Sequence, residues 1–180
     1  MAIGSQATVD DLYKVDGKAE LVGGEIVHMS PTGDMPNFAA GEIFVSLHSY
    51  AKVNGGRVYT DNVAFLVNLP NRKSFSPDAA YYTGPRAKMK FLPQAPDFAV
   101  EVRSEGDYGP AAEREMAEKR ADYFAAGTKV VWDVDLLGED VIRVFRASTP
   151  SESTVYRKIE TAEAEPAVPG WTFPVENLFE

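Results

Sequence analysis

Two carboxylates and one ammonium carry most of the chemistry this chain could do. Glu101 stands inside the run from Pro96 to Ser104, PDFAVEVRS, which reads as a buried strand. Phe98, Val100 and Val102 alternate to one face, and Asp97, Ala99, Glu101 and Arg103 to the other. A carboxylate inside such a strand is costly unless something compensates it. A divalent metal held jointly by Glu101 and Asp78 is one compensation. A neighbouring Arg, or water, is the plainer one, and spacing alone favours it. Asp78 falls in the strand-like piece from Phe75 to Tyr82, where small and aromatic neighbours predict partial burial. Pro77 there predicts an edge or entry position. Lys119 lies three residues after Met116 and four before Tyr123, on the edge of a helix's apolar side. Reaching for water is the ordinary outcome for such a lysine. It can also point its ammonium at carboxylates near the sheet.

The elements that must position these groups follow from pattern. Thr8 caps a short first helix. Residues 19–27 read as a hairpin about Gly23-Gly24, with Glu20 and Glu25 flanking the turn and expected in solvent. Asp34 to about Tyr50 is a helix with a stripe of Ala40, Ile43, Phe44, Leu47, Tyr50 and Ala51, stopped by Gly55-Gly56. Glu42 and His48 lie off the stripe's centre and read as structural or solvated. Residues 57–67 are strand-like, and residues 83–95 form a loop with Gly84, Pro85 and Pro93. Pro110 opens the helix carrying Lys119, and Gly127 stops it. Strand 97–103, this helix and strand 129–135 make a strand–helix–strand unit, which implies parallel pairing. Residues 141–145 then return antiparallel, 154–159 add a further strand, and an irregular tail packs its aromatics on the body or on a partner chain.

Composition bounds the partners. The chain has 180 residues, 44% apolar and 25% charged, which suits one domain with a single core. The core is expected over about 15–145, with C-terminal strands and the tail over 146–180. No apolar run approaches the ~18 residues of a membrane span. There is no basic start followed by an apolar stretch, hence no secretory signal to read. The absence of cysteine excludes thiolate metal sites and fits a reducing cytoplasm. His28 and His48 are the only histidines, so imidazole-based zinc chemistry is disfavoured, while oxygen ligands for Mg²⁺ or Mn²⁺ stay open. A net charge of −9 counts against nonspecific nucleic-acid binding. Residues 71–73 (Asn-Arg-Lys) and 86–90 (Arg-Ala-Lys-Met-Lys) are the candidate local basic patches.

In this order the residues resemble the PD-(D/E)XK nuclease superfamily, and within it the Uma-type restriction endonuclease branch. The resemblance rests on ELVGGE from Glu20, Ser76-Pro77-Asp78, the run from Pro96 to Ser104, and the run from Lys119 to Asp135. It implies an α/β, restriction-endonuclease-like fold: a mixed central sheet flanked by helices. Asp78 and Glu101 then match the metal-binding acids. The superfamily's lysine usually lies two residues after the second acid, where this chain has Arg103; in this branch the following helix supplies it, matching Lys119. Glu20 matches a recurrent acid of the first strand. Asp97 repeats the Pro-Asp pattern but would share one strand with Glu101, so Asp78 is the better match.

Phosphodiester hydrolysis suits these residue types. Mg²⁺ held by one or two carboxylates keeps several waters and can polarise a phosphoryl oxygen. Lys119 would orient or deprotonate the attacking water, an ammonium beside a metal being disfavoured in its charged form. Arg103 would contact a phosphate or pair with a carboxylate. The expectation is a Mg²⁺-dependent DNA endonuclease acting as a homodimer, one site per strand. The competing readings are a catalytically silent dimerising or DNA-binding scaffold, and a sugar hydrolase using two opposed acids, in which Lys119 has no task.

Overall fold

The computed structural model describes residues 6–179. Its centre is a six-stranded mixed sheet. In chain order the strands and main helices are β1 (Ala19–Val22), β2 (Glu25–His28), β3 (Arg57–Thr60), β4 (Phe65–Leu66), β5 (Ser74–Phe75), β6 (Ala79–Tyr82), β7 (Phe98–Val102), β8 (Val130–Val134), β9 (Ile142–Arg146), β10 (Thr149–Tyr156), β11 (Thr161–Glu163) and β12 (Thr172–Pro174), with α1 (Val9–Leu12), α2 (Asp34–Asn54) and α3 (Pro110–Ala125). The large sheet has the order β10-β9-β8-β7-β6-β3. Its β7–β8 pair is parallel, joined through α3, and its other pairs are antiparallel. β1 and β2 form a separate hairpin whose turn glycines hold φ of 60° and 78°. Among the described residues no helix is long and apolar enough to cross a membrane.

Alternation along β7 divides the core in two. Phe98, Val100 and Val102 face α2 and the C-terminal segment, where Ile43, Leu47, Trp132, Trp171 and Phe173 pack with them. Ala99 faces the other way, into a cluster with Phe65, Phe75, Tyr82, Tyr123 and Val131. Glu101 and Arg103 follow Ala99 to this second face, beneath α3.

Local chemistry sets the boundaries. Thr8 and Asp11 form a reciprocal capping box on α1. Pro110 occupies the first turn of α3 behind Gly109, where its missing N–H costs nothing. At the end of α2, Gly56 has φ of 82° and backs onto the Tyr81 ring, 2.5 Å from where a Cβ would sit, so a side chain is excluded on two counts.

Two expectations change and one, the edge or entry position of Pro77, narrows to entry. The stretch 57–67 splits into β3 and the short β4, because Asp61-Asn62 turns the chain with Asn62 at φ of 62°. β6 is interior to the sheet; Pro77 lies just before it, at its entry. The tail is also more ordered than its composition implied. β11 pairs with β12, and a final 3₁₀ turn spans Val175–Leu178. Trp171 is buried, with ring centroids 5.2 Å from Trp132 and 5.8 Å from Phe98, and its indole N–H donates to Ser46 Oγ on α2 at 3.0 Å. The tail therefore closes the first face of the sheet. Trp171→Ala is expected to cost about 3 kcal/mol or more, as truncation of a buried aromatic does. Urea denaturation followed by far-UV circular dichroism measures it.

Candidate active site

Glu101, Lys119 and Glu20 meet on the second face of the sheet. The Lys119 ammonium sits 2.9 Å from Glu101 Oε1 and 3.0 Å from Glu20 Oε1. Tyr123, one turn along α3, donates its hydroxyl to Glu101 Oε1 at 2.6 Å. Its ring stacks on Phe75 at 3.9 Å, which fixes the hydroxyl's direction. The other oxygen of Glu101, Oε2, takes no hydrogen bond from the described residues, and a quarter of the Glu101 side chain stays open to solvent.

Asp78 lies where β6 begins, against Glu101's strand. Its N–H donates to Val100 O at 3.0 Å, and its Oδ2 accepts from Val102 N at 2.8 Å. The carboxylate is thus clamped across the residue that carries Glu101. Its Oδ1 receives the Lys18 ammonium at 2.7 Å, and Lys18 also reaches Asp61 at 2.6 Å.

Glu20 departs from the expectation that it is solvated. It is 3% exposed, while Glu25 across the turn is exposed as expected. Arg72 meets Glu20 Oε2 at 2.5 Å, and the Ser76 N–H donates to Oε1 at 2.8 Å. Arg72 bonds Asp122 as well, at 2.9 Å, and lies over the Phe75 ring. The stretch 71–73 is therefore no basic patch at Arg72: the guanidinium is buried inside the site.

Five carboxylates (Glu20, Asp61, Asp78, Glu101, Asp122) are bridged by three cations (Lys18, Arg72, Lys119), leaving two negative charges in excess. The imbalance is felt at Glu101. Burial raises its proton affinity, Asp78 and Glu20 raise it further, and Lys119 and Lys18 oppose them without prevailing. Glu20 is also penalised by burial, but Lys119, Arg72 and the Ser76 N–H outweigh it and hold the carboxyl below its usual range. Burial works against the Lys119 ammonium, yet Glu101 and Glu20 overcome it and raise its proton affinity. With no ion present, the two carboxylates thus favour the charged form of Lys119; the expectation of a lysine eased toward a base concerns the site with a metal beside it.

The donor set suits a hard cation. Among the described residues no three His, Asp or Glu side chains gather as a metal cage. Two carboxylates with open solvent beside them are what Mg²⁺ accepts, since it keeps most of its waters. Glu101, with Oε2 free, and Asp78, whose oxygens take Lys18 and the Val102 N–H, are the candidate carboxylates for one.

Arg103 and Asp97 belong elsewhere. Arg103 makes a two-pronged contact with Asp133, 2.8 Å at each end, and also bonds Glu113. Of its two expected roles, pairing with a carboxylate is the one observed. Asp97 accepts from the Thr83 backbone and hydroxyl and pairs with Lys129. Glu42 and His48 stand on α2, on the opposite side of the sheet. Sequence reasoning missed Lys18, Tyr123, Asp122 and Asp61. Lys18 precedes Glu20 by two positions, so strand alternation placed it on Glu20's side. Tyr123 and Asp122 follow Lys119 by four and three, and so share its helix face. Asp61 in its turn carried no signal.

Comparisons with known proteins bear on the family and the fold. The family model of Uma2, described as putative restriction endonuclease, matches residues 7–176. The crystal structure of a putative nuclease belonging to DUF820 from Anabaena variabilis superposes with a TM-score of 0.74 over 96% of this chain and 97% of that one, at 17% identity. That likeness is one of fold. No curated protein sequence matches.

The opposite environments of two acids give a test by stability. Glu20's depressed value means its stabilisation exists above the ordinary carboxylate range and is lost as pH falls through that depressed value. Glu101's raised value means the reverse: its contribution is present at acid pH and lost as pH rises through the raised value. Without metal at pH 7, Glu20→Gln is expected to cost about 3 kcal/mol, the scale of a broken buried ion pair. Glu101→Gln is expected to leave stability unchanged or raised. Urea denaturation in EDTA measures both.

Proposed function

The chain belongs to the Uma2 family, and from that membership and the charge balance of the site we propose that it is a Mg²⁺- or Mn²⁺-dependent DNA endonuclease. The observation that carries the reading is the excess of two formal negative charges around Glu101 and Asp78, on a face that also holds Lys119. A divalent cation supplies the missing charge.

Asp78 and Glu101 would hold the ion, which supplies polarisation of the phosphoryl oxygen and an acidified water. Tyr123 and Lys119 both engage Glu101 Oε1, so they fix the carboxylate plane and leave Oε2 outward. Lys119 acts as an ammonium. It orients the attacking water and stabilises charge growing on the phosphate, at a point preorganised by Glu101 and Glu20. Glu20 is a positioning residue: it holds Lys119 from below and is itself held by Arg72 and Ser76. Lys18 steadies Asp78 and adds a second positive charge for a phosphate. A homodimer acting in the cytoplasm, each protomer taking one strand, completes the proposal.

Cleavage of supercoiled plasmid and of labelled oligonucleotides, with Mg²⁺ and with Mn²⁺, tests it. Asp78→Asn, Glu101→Gln and Lys119→Met are each expected to lower the rate at least about a hundredfold, the scale of losing one preorganised charge. Cleavage that survives both Asp78→Asn and Lys119→Met rejects the assignment. A wild type inert with both ions, and failing to bind them, leaves a silent scaffold of the same fold.

A further inference from the structure

The outward face of α2 carries a pattern that the chain's own packing does not use. Ile43 and Leu47 turn inward to the sheet. On the other side, at steps of four, three, four, three and four, stand Asp34, Phe38, Gly41, Val45, His48 and Lys52. Steps that alternate in this way make a seam, the spacing by which one helix lines up along another. Phe38 is 39% exposed and Val45 58%, and Asp34, His48 and Lys52 are exposed as well. Neither Asp34 nor Lys52 has an ionic partner among the described residues. Gly41 is the odd member, since glycine in the middle of a helix is destabilising relative to alanine. A Cβ there would meet nothing within 4 Å, and the backbone is ordinary helix, so nothing within the chain calls for glycine. A position without a side chain does let a second molecule come close.

The seam is complementary to itself. Turned end for end against a second copy, and centred level with Ile43, it sets Asp34 against Lys52, Phe38 against His48 and Gly41 against Val45, each pair twice. Opposite charges meet at both ends, rings meet inside them, and an isopropyl group enters the gap that glycine leaves. His48 already stacks on Phe44, with 5.5 Å between ring centroids, which fixes its ring for the approach of the second copy's Phe38. Antiparallel order also brings the positive end of each helix dipole to the negative end of the other. Parallel order fails the same comparison, setting Asp34 on Asp34 and Lys52 on Lys52. Glu42 flanks the seam and faces its own copy near the axis; it borders water there, and dissolved ions screen the repulsion.

We infer that α2 is the surface through which two copies of this chain pair, antiparallel and in this register, each copy using the same patch. Such pairing gives the proposed homodimer its interface, and it rests on the nuclease reading only for the expectation of two protomers. α2 covers the first face of the sheet and the carboxylate cluster lies on the second. The pair therefore carries its two sites on its outer sides, and each site meets its strand separately.

Sedimentation equilibrium on the full chain, without nucleic acid, tests the pairing. Wild type is expected to be a dimer. Val45→Glu, at an exposed position, is expected to weaken the dimer about a hundredfold or more, since it sets two unpaired charges into the contact, while far-UV circular dichroism stays that of wild type. Cross-linking reads the register. The chain has no cysteine, so each introduced thiol is the only one in its protein. A Phe38→Cys protein mixed with a His48→Cys protein is expected to form the mixed disulfide in preference to either symmetric one, because like positions lie about 15 Å apart along the axis. A wild type that stays monomeric overturns the inference. So does a dimer indifferent to Val45→Glu, which leaves a homodimer built on another face, and so does a disulfide pattern without preference. A dimer that behaves as expected but cuts no nucleic acid would sink the nuclease reading and leave the interface standing.

Discussion

Uncompensated negative charge on one face of a sheet is the constraint around which this molecule is built. Five carboxylates are drawn together by three cations, and the shortfall falls on Glu101 and Asp78. Carboxylates crowded in a partly dry site repel one another strongly, and removing water makes each charge dearer still. An arrangement of this kind is a poor device for stability. Well-packed apolar side chains would hold the same elements together at less cost. Under the proposed function its use is to hold a doubly charged ion.

The rest of the fold keeps that arrangement from relaxing. Val100 and Val102 anchor β7 into the apolar layer beneath α2, so Glu101 between them cannot turn away from the other face. The backbone of β7 grips Asp78 at two points. The parallel β7–β8 pair requires a crossover, and that crossover is α3, which brings Lys119, Asp122 and Tyr123 over the end of β7. The β1–β2 hairpin adds Glu20 from a third direction, through the chain from Arg72 to Ser76. The charged groups thus come from several elements, Lys119 and Asp122 sharing α3, and the apolar clusters hold those elements in place. The division is clear at β7: its even positions hold the first core, and on the other face Ala99 joins the second cluster while Glu101 enters the charged one.

Much of this was legible in sequence. Alternation along residues 97–103 assigned Glu101 and Arg103 to one face, and the strand–helix–strand order implied the parallel pair. Both hold because strong periodicity over several residues leaves few alternatives. Lys119 at the helix edge, and Asp78 among small residues, were equally readable. Other features were hidden because they depend on long-range partners. Glu20 flanks a two-glycine turn and looks like any solvated hairpin residue; only Arg72, fifty-two positions away, buries it. Arg72 in turn reads as part of a surface patch until Asp122 and Phe75 enclose it. The carboxylates that Lys119 meets could not be read either, since Glu20 and Glu101 come within 3 Å of it only in the fold. The ordering of the tail is tertiary in the same sense, being set by Trp171 docking between α2 and the sheet.

The claim that the excess charge is a cation site is tested most directly by locating the cation. Crystals soaked in Mn²⁺, measured at a wavelength where manganese scatters anomalously, would give its position without reference to activity. The account predicts an anomalous peak bonded to oxygens of both Asp78 and Glu101, with water completing its coordination. A well-occupied ion elsewhere, or none beside these two carboxylates at a concentration that saturates a Mg²⁺ site, would contradict it.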